Sequence, residues 1–334
     1  MAAIGGNLGN ELFDPPSDTI SGLSFSRFED TSLLVSSWDK TVRLYDAHEN
    51  SLRYSYTHDA AVLDVSFATK TIAVSGGLDK HVKSVDLHTT HQEILGSHDE
   101  AVKCIVTDPE TNLVISGSWD KTVKLFDLRQ SEHLISTHSH PQKIHSMDAV
   151  QGKLVVATAD RLYYIYDLRN LENPLVEERL GHLKFMTRSV ACMPNGDGYA
   201  TASIEGRVSV EFFDNSEESQ SRRYAFKCHR EKQENNEKVY PVNALAFHPI
   251  YGTFVSGGSD GVVSLWDGLK KKRVKQYVGF PTGISALGFN RNGTLLAIGC
   301  SYTFEEGEKD DKPADSVYIR PMTENEAKPK AAVA

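Results

Sequence analysis

An acidic residue that ends a short hydrophobic run recurs along most of this chain at nearly constant intervals. The spacings between successive acids are 40, 41, 40, 45 and 55 residues. The acids that align are Asp39, Asp79, Asp120, Asp160, Glu205 and Asp260. In five of these six repeats another Asp follows seven residues later, at Asp46, Asp86, Asp127, Asp167 and Asp267. Self-similarity at a fixed period indicates that the chain is built from one supersecondary unit used several times.

Each repeat has the pattern of several β-strands. Between the paired acids the sequence alternates apolar and polar residues, as in "KTVRLYD" and "KTVKLFD", and a period of two indicates a strand. A short apolar run precedes each acid, as in "LLVSS" and "LVISGS", and another run precedes that one, as in "AVLDVSF". No segment shows a helical period, so we predict an all-β fold.

The repeats resemble the WD-repeat β-propeller family over almost the whole chain. A repeat of about 40–45 residues suits a blade of four strands. Trp266-Asp267 in "SLWD" keeps the Trp-Asp pair of that family, and Gly181-His182 keeps its Gly-His pair. A seventh repeat runs from "GISALGF" through "TLLAIGC" to "SVYIR", interrupted by an acidic insert at 303–315.

This resemblance implies a seven-bladed propeller at residues 1–320, in which the last repeat lacks one strand. The N-terminal "NELFD" can supply that strand, which completes the last blade and leaves no open sheet edge. Residues 321–334 are polar and rich in alanine, and we predict that they form a disordered tail. Two polar inserts, at 214–223 and 229–238, decorate the fifth and sixth repeats.

The composition limits what such a propeller can bind. The net charge is −9, which argues against general nucleic-acid binding because that function needs a basic surface. The four cysteines are far apart and form no CxxC pair, which suits a reducing compartment. The sequence shows no signal-peptide pattern and no apolar run near the roughly 20 residues that cross a bilayer. We expect a soluble intracellular protein with no direct nucleic-acid or membrane partner.

The repeated acids and histidines favour a scaffold over a catalytic centre. A turn Asp, a His and a strand Ser or Thr can bond to one another, and a pattern that recurs in every blade serves every blade. We assign His58, His98 and His182, with Asp79, Asp120 and Asp160, to this scaffold; no nucleophile elbow, phosphate loop or metal-ligand spacing is present. We therefore predict no enzyme activity, no cofactor and no metal. A propeller enzyme, the alternative, would need a metal or a strongly shifted carboxylate in the central channel.

The residue just before each turn acid should lie on the top rim of the propeller, facing solvent. In blade order these rim residues are Trp38, Leu78, Trp119, Ala159, Ile204 and Ser259. Four of the six are large and apolar, which predicts an apolar patch of the kind that marks a partner site. The alternative is that each large side chain folds back over its own blade.

Basic residues accompany this rim. Arg188 and Arg207 could clamp a carboxylate, or could instead form ion pairs within their blades. A second basic cluster, "RRYAFKCHR", contains Arg222, Arg223, Lys227, His229 and Arg230 on the outer strand of blade five. It could receive a phosphate or could be a solvated strand face. The run "KKKR" at 270–273 predicts an outer hairpin turn, and a nuclear-import signal is the weaker alternative.

From about residue 11 to residue 320, the chain resembles the mitotic spindle-checkpoint WD-repeat proteins of the Bub family. The motifs that carry this resemblance are "LLVSSWDKTVRLYD", "SGSWDKTVK", "SIEGRVSVEFFD", "YAFKCHR", "YPVNALAFHPIYGTF", "GGSDG" and "IGCSY". The resemblance implies a non-catalytic adaptor. Such proteins bind a Glu-containing motif of checkpoint kinases and their pseudokinase relatives on the top face, and phosphorylated Met-Glu-Leu-Thr repeats of a kinetochore scaffold.

The same resemblance implies which residues form each site. The kinase-motif site would contain Trp38, Leu78, Trp119, Arg188, Ile204 and Arg207, and the phosphopeptide site would contain Lys227 and Arg230. It also implies a monomeric propeller that works within complexes in the nucleus, at the kinetochore in mitosis and in the cytoplasm.

A related propeller that acts in mRNA export and binds a nuclear-pore protein is the alternative. It shares "GSWDKT", "SIEGRV" and "FKCHR", but the uninterrupted "SSWDKTVRLYD" and the "VEFFD" after Arg207 favour the checkpoint type. Blade two departs from the family pattern, with Ser84 and Val85 in "GGLDKHVKSVD". A diverged paralogue with altered partners therefore remains a second alternative.

Overall fold

Seven four-stranded antiparallel sheets, arranged as the blades of a propeller, form most of the described chain. The structure is a computed structural model that describes residues 8–234 and 236–329. Consecutive strands pair with one another in each sheet, as the repeat predicts. The predicted all-β, seven-bladed propeller is confirmed.

The strands are numbered in chain order, and the first, β1 (Asn10–Glu11), precedes the first complete blade. Blades one to three are built from β2 (Ile20–Phe25), β3 (Ser32–Ser37), β4 (Thr41–Asp46), β5 (Ser51–Thr57), β6 (Val62–Phe67), β7 (Ile72–Gly77), β8 (His81–Asp86), β9 (Gln92–Ser97), β10 (Val102–Thr107), β11 (Val114–Ser118), β12 (Thr122–Phe126) and β13 (Leu134–Ser139). Blades four and five are built from β14 (Ile144–Val150), β15 (Lys153–Thr158), β16 (Leu162–Asp167), β17 (Leu175–Leu180), β18 (Thr187–Cys192), β19 (Gly198–Ser203), β20 (Arg207–Phe212), helix α1 (Glu217–Ser221) and β21 (Tyr224–Lys227).

A two-stranded hairpin separates blade five from blade six. The remaining elements are β22 (Arg230–Lys232) and β23 (Glu237–Val239) in that hairpin, then β24 (Val242–Phe247), β25 (Thr253–Gly258), β26 (Val263–Asp267), β27 (Lys272–Tyr277), β28 (Ile284–Phe289), β29 (Leu295–Cys300), β30 (Ser316–Pro321) and helix α2 (Glu324–Ala327). The turn between β26 and β27 contains the start of the "KKKR" run, as predicted. Neither helix of the described residues has the length and apolar character that crossing a bilayer requires.

The N-terminal strand completes blade seven. In the register of β1 against β30, Asn10 lies opposite Ile319 and Glu11 lies opposite Tyr318. The buried Leu12 extends this pairing, because its N–H donates to the Val317 carbonyl at 2.8 Å. The first and last parts of the chain thus share one sheet, and ring closure by an N-terminal strand is confirmed.

Small residues near the ends of the second strands let neighbouring blades pack closely. A Cβ added to Gly117 of β11 would lie 2.7 Å from a methyl carbon of Ile144, the first residue of the next blade's inner strand. The same addition to Gly257 of β25 would lie 2.4 Å from a methyl carbon of Ile284. Both distances are shorter than any side-chain contact allows, so the recurring Ser-Gly and Gly-Gly pairs make room for the adjacent blade.

The C-terminal segment differs from its prediction. Met322 and Ala327 are buried, and the Thr253 hydroxyl donates to the Ala327 carbonyl at 2.8 Å. Glu326 accepts hydrogen bonds from Tyr277 at 2.6 Å and from Lys275 at 2.7 Å. The disorder predicted for 321–334 is therefore wrong for residues 322–329, because a few apolar and acidic side chains dock this polar segment on blades six and seven. Residues 330–334 lie outside the described residues.

Candidate functional site

The recurring histidines hold the blades together in two of the three predicted cases. In blade two, His58 lies between Asp79 (Nδ1 to Oδ2, 2.7 Å) and Ser75 (Nε2 to Oγ, 2.8 Å). In blade three, His98 lies in the same way between Asp120 at 2.9 Å and Ser116 at 2.7 Å. Both imidazoles are fully buried, so these groups satisfy one another and do not face a ligand.

The third predicted scaffold pair, His182 with Asp160, is wrong. The His182 side chain is 44% exposed, and its Nδ1 lies 3.8 Å from Glu211. Asp160 instead accepts a hydrogen bond from Thr158 at 2.6 Å. The buried histidine of blade four is His140, whose Nε2 lies 2.8 Å from the hydroxyl of Tyr166. A Tyr partner on β16 replaces the turn acid there, and burial lowers the pKa of His140 to about 4.

His229 belongs to the scaffold and not to the predicted phosphate cluster. Its fully buried imidazole bonds to Asp260 at 2.8 Å and to Ser256 at 2.8 Å, and the Trp266 indole N–H donates to the same Ser256 at 2.8 Å. His and acid are 31 residues apart here, compared with 21 and 22 in blades two and three. The β22–β23 hairpin is inserted between His229 and Asp260, so their spacing in the sequence does not match that of the other blades.

The two rim tryptophans keep part of their surface accessible. Trp38 follows β3 and is 39% exposed, and its ring stacks on Phe304 with centroids 5.9 Å apart and an interplanar angle of 6°. Trp119 follows β11 and is half-buried, with the Lys143 ammonium 5.6 Å from its ring centroid. Among the described residues, the Trp119 Nε1 has no hydrogen-bond partner.

These tryptophans meet at a cavity in the mouth of the central channel, which we call the top-face cavity. It has a volume of about 220 Å³, and its lining includes Trp38, Lys103, Trp119, His145, Arg188 and Thr303. Three of the six residues predicted for the kinase-motif site therefore come together, namely Trp38, Trp119 and Arg188. Leu78 is 44% exposed, but it does not line this cavity, and neither do the half-buried Ile204 and Arg207.

The top-face cavity is cationic although the protein is acidic overall. Burial, together with the charges of Lys103, Arg188 and Lys143, lowers the pKa of His145 below its usual value. His145 is therefore neutral at pH 7, and Lys103 and Arg188 carry the positive charge of the lining. Among the described residues, Arg188 Nε also has no hydrogen-bond partner. A carboxylate entering this cavity would meet one planar cation and one ammonium group.

Both predicted clamp arginines have acidic neighbours. Arg207 lies 3.5 Å from Glu205 in its own blade, which is the ion pair that the alternative interpretation predicts. Arg188 lies 3.6 Å from Glu305, which belongs to the acidic insert of blade seven. The two guanidinium side chains remain 35% and 36% exposed, so neither ion pair removes the group from solvent.

Lys227 lies at a second cavity, on the outer side of blades five and six, which we call the side groove. It has a volume of about 220 Å³ and is lined by Tyr224, Phe226, Lys227, Trp266, Asp267, Lys271 and Lys272. The Lys271 ammonium lies 4.6 Å from the Tyr224 ring centroid. The "KKKR" run predicts only an outer turn for Lys271 and Lys272, and the one signal in the sequence for their place in the groove is their short distance from the Trp266-Asp267 pair.

Arg230, the other predicted phosphopeptide residue, lies away from the side groove. Its guanidinium bonds to Glu237 at 2.7 Å and to the Glu205 carbonyl at 2.6 Å, and its side chain is 15% exposed. The structure therefore does not bring Arg230 together with Lys227. Its role here is to fasten the β22–β23 hairpin to the turn before β20.

Two half-buried aspartates of the inner strands have raised pKa values. Burial raises the pKa of Asp64 and of Asp148 to about 6. Asp64 accepts hydrogen bonds from the N–H groups of Val65 at 2.9 Å and Ile105 at 2.8 Å. Asp148 likewise accepts from the Cys192 N–H at 2.6 Å. These carboxyls join the inner strand of one blade to that of the next, so their shifts have a structural cause.

No group of three or more His, Cys, Asp or Glu side chains in the described part of the chain is arranged to hold a metal ion. The four cysteines are free and buried. Burial raises the pKa of Cys104 to about 12, and the pKa of Cys192 is also raised. These two thiols are therefore protonated at neutral pH and do not present a nucleophile.

Known proteins resemble the chain over its full length. The family model described as "WD domain, G-beta repeat" matches residues 10–46, 89–127 and 225–267. Mitotic checkpoint protein BUB3.1 of Arabidopsis thaliana is 50% identical over 337 residues, which cover 100% of this chain and 98% of the relative. Mitotic checkpoint protein bub3 of Dictyostelium discoideum is 42% identical, over 92% of this chain and 93% of the relative. Poly(A)+ RNA export protein of Schizosaccharomyces pombe is 38% identical, over 96% of this chain and 92% of the relative.

Proposed function

Since the chain belongs to the BUB3 family of mitotic checkpoint WD-repeat proteins, we propose that it is a non-catalytic adaptor that brings checkpoint kinases to kinetochores. In this proposal the top-face cavity binds a Glu-containing motif of a checkpoint kinase or pseudokinase. The side groove binds phosphorylated Met-Glu-Leu-Thr repeats of a kinetochore scaffold. One propeller would then hold both partners, in the nucleus and at the kinetochore in mitosis, with a further cytoplasmic pool.

The observation that carries this proposal is the meeting of Trp38, Trp119 and Arg188 at one cavity. The indoles offer apolar surface that is best covered by another chain, and tryptophan is enriched where binding energy concentrates. Arg188 and Lys103 offer charge to a carboxylate, and both Arg188 Nε and Trp119 Nε1 lack a partner among the described residues. A peptide with an apolar side chain next to a glutamate would cover the indoles and supply a carboxylate to Arg188 and Lys103.

The side groove supports the second half of the proposal. Its aromatic floor of Tyr224, Phe226 and Trp266 suits the apolar residues of a Met-Glu-Leu-Thr repeat. Lys227, Lys271 and Lys272 provide ammonium groups for a phosphate, which carries close to two negative charges at neutral pH. We therefore propose Lys271 or Lys272 as the second phosphate-binding base, in place of Arg230.

Because the ring is closed and rigid, binding at either site costs the receptor little conformational entropy. Apart from Thr303 of the acidic insert, the lining residues of the top-face cavity lie in or beside strands of the four-stranded sheets, so the ring itself loses little conformational freedom on binding. The ring needs no second copy to complete either site, which is consistent with a monomeric propeller within larger complexes.

A second candidate function is mRNA export at the nuclear pore. The observation in its favour is the 38% identity to Poly(A)+ RNA export protein, and mRNA export factor GLE2 of Chaetomium thermophilum is 36% identical. Mitotic checkpoint proteins of Arabidopsis thaliana, Dictyostelium discoideum and Caenorhabditis elegans are at higher identity, 50%, 42% and 41%, and the checkpoint protein of Schizosaccharomyces pombe is at 35%. The three higher identities favour the checkpoint function.

Affinity purification of the chain from mitotic cells separates the two functions. We expect checkpoint kinases and a phosphorylated kinetochore scaffold in the purified complex. Recovery of nuclear-pore proteins and RNA without checkpoint kinases would contradict the checkpoint proposal and support the export function.

A further inference from the structure

The acidic insert of blade seven reaches back over the ring to blade one. It connects β29 with β30, and its aromatic residue Phe304 stacks on the exposed indole of Trp38. The next residue, Glu305, lies 3.6 Å from Arg188 and accepts a hydrogen bond from the Ser259 hydroxyl at 2.7 Å. Ser259 is the rim residue of blade six. The dipeptide Phe304-Glu305 therefore contacts rim residues of blades one and six and the guanidinium of Arg188 in blade five.

This dipeptide presents the chemistry that the proposed partner needs. Phe304 covers part of an indole, and Glu305 supplies a carboxylate to an arginine of the top-face cavity. The other end of the insert is held by Lys312, which lies 3.7 Å from Asp18 and 3.8 Å from Asp315. The Lys312 ammonium also lies 5.4 Å from the Phe304 ring centroid. Release of the dipeptide from Trp38 and Arg188 gives up this ring contact but can leave both ion pairs of Lys312 in place.

The contacts that hold the dipeptide are of the weak and reversible kind. The Arg188–Glu305 pair is partly exposed, and such pairs contribute little to stability. Phe304 also has φ of 60°, a left-handed conformation that is unfavourable for a bulky residue. Release of Phe304 would relieve this strain, which offsets part of the loss of the ring stack.

We propose that Phe304-Glu305 is an internal competitor that covers Trp38 and Arg188, two residues of the top-face cavity, and that an incoming partner must displace. This inference rests on the proposed function and deepens it, because it states the chemistry of the partner as an apolar or aromatic residue next to a glutamate. The same displacement makes the insert a device that lowers the apparent affinity for partners. If the dipeptide covers these two residues nine times in ten, the apparent affinity falls about tenfold.

Binding experiments on the full chain test the displacement. The probe is a synthetic peptide with the Glu-containing motif of a checkpoint kinase, titrated calorimetrically into the wild type and the variants Phe304→Ala, Glu305→Gln and Glu308→Gln. We expect the first two variants to bind about tenfold more tightly than the wild type. Glu308, an exposed acid of the same insert, is the matched control and should leave the affinity unchanged. Equal or weaker binding by Phe304→Ala and Glu305→Gln would overturn the proposal.

Hydrogen exchange on the protein alone tests the internal competitor without any partner. Trp38→Ala should increase the exchange rate of the amides at 304–306 at least threefold, and Leu78→Ala, an exposed rim residue of another blade, should not. Unchanged exchange in Trp38→Ala would overturn the internal competitor. If no variant binds the peptide, the proposed partner is wrong, and the exchange result alone decides whether the insert covers Trp38.

Discussion

Arg207 and Lys227 lie directly opposite each other in the ladder between β20 and β21 of blade five. Residues paired in this way project from the same face of a sheet, with Cβ atoms about 5 Å apart, and like charges in such pairs repel. Glu205, 3.5 Å from Arg207, offsets part of this repulsion. Lys227 lines the side groove, and Arg207, which does not line the top-face cavity, is its direct neighbour in the ladder of blade five.

This pairing predicts that Arg207 assists phosphopeptide binding by charge alone. Two unit charges about 6 Å apart in water interact by about 0.7 kcal/mol, which corresponds to about threefold in affinity. Arg207→Gln should therefore weaken binding of a phosphorylated Met-Glu-Leu-Thr peptide about threefold in low salt. In 1 M salt the difference should disappear, because the screening length is then about 3 Å. A loss of equal size at both salt concentrations would indicate direct contact with the phosphate instead.

Lys227→Ala tests the phosphate role of the side groove. Removing an ammonium that faces a phosphate should weaken the phosphorylated peptide about tenfold or more and leave an unphosphorylated peptide unchanged. Lys271→Ala should act in the same direction, because Lys271 lines the same groove. The exposed Lys70 of blade two provides the control substitution Lys70→Ala. Equal losses with both peptides in fluorescence titrations would show that the lysine contributes no phosphate contact.

Trp119→Ala tests the apolar wall of the top-face cavity. Hot-spot tryptophans contribute about 2 kcal/mol or more, so binding of the Glu-containing motif should weaken at least about thirtyfold. The ring should stay folded, because the blade-three core of Ile115, Val123 and Leu125 is separate from this rim residue. Phe13→Ala, which truncates an aromatic residue that is 72% exposed, is the control. Intact binding in a calorimetric titration, with an unchanged melting temperature, would contradict the assignment of Trp119.

Asp64→Asn tests how the ionisation of an inner-strand carboxyl makes stability depend on pH. The folded-state pKa of Asp64 is about 6, above the ordinary value of 3.8, so the folded protein holds this proton more tightly than the unfolded chain does. The resulting stabilisation is fully present below pH 4 and is lost as the pH rises through 6. Relative to Asp64→Asn, the wild type should lose about 2 kcal/mol of unfolding free energy between pH 4 and pH 7.5.

Urea denaturation across this pH range measures that difference, with Asp59→Asn, an exposed acid of the same blade, as the control. Parallel stability curves for the wild type and Asp64→Asn would show that Asp64 titrates near its ordinary value. Asp148→Asn should reproduce the effect, since burial raises its pKa to a similar value.

Much of the architecture follows from local sequence patterns. The paired acids predict the second and third strands of each blade, because a two-residue alternation and a turn acid specify a hairpin without knowledge of the rest of the chain. The closing strand was also predictable, since an open blade edge must find a partner and the "NELFD" segment remained unassigned. The hydrogen-bond partners that differ between blades could not be predicted in this way. In blade four, His140 bonds to Tyr166 where the repeat predicts an acid, and the repeat pattern alone does not indicate this exchange.

By itself, the sequence determined the number of blades, the strands within them and the residues that stand at each rim turn, because neighbours along the chain decide those features. Only the tertiary structure decided that His229 serves Asp260, that Lys271 shares a groove with Lys227, and that Phe304 lies on Trp38. Trp38 and Phe304 are separated by most of the chain and come into contact only when the ring closes. A contact between such distant residues depends on the position of every blade between them, so no local pattern encodes it.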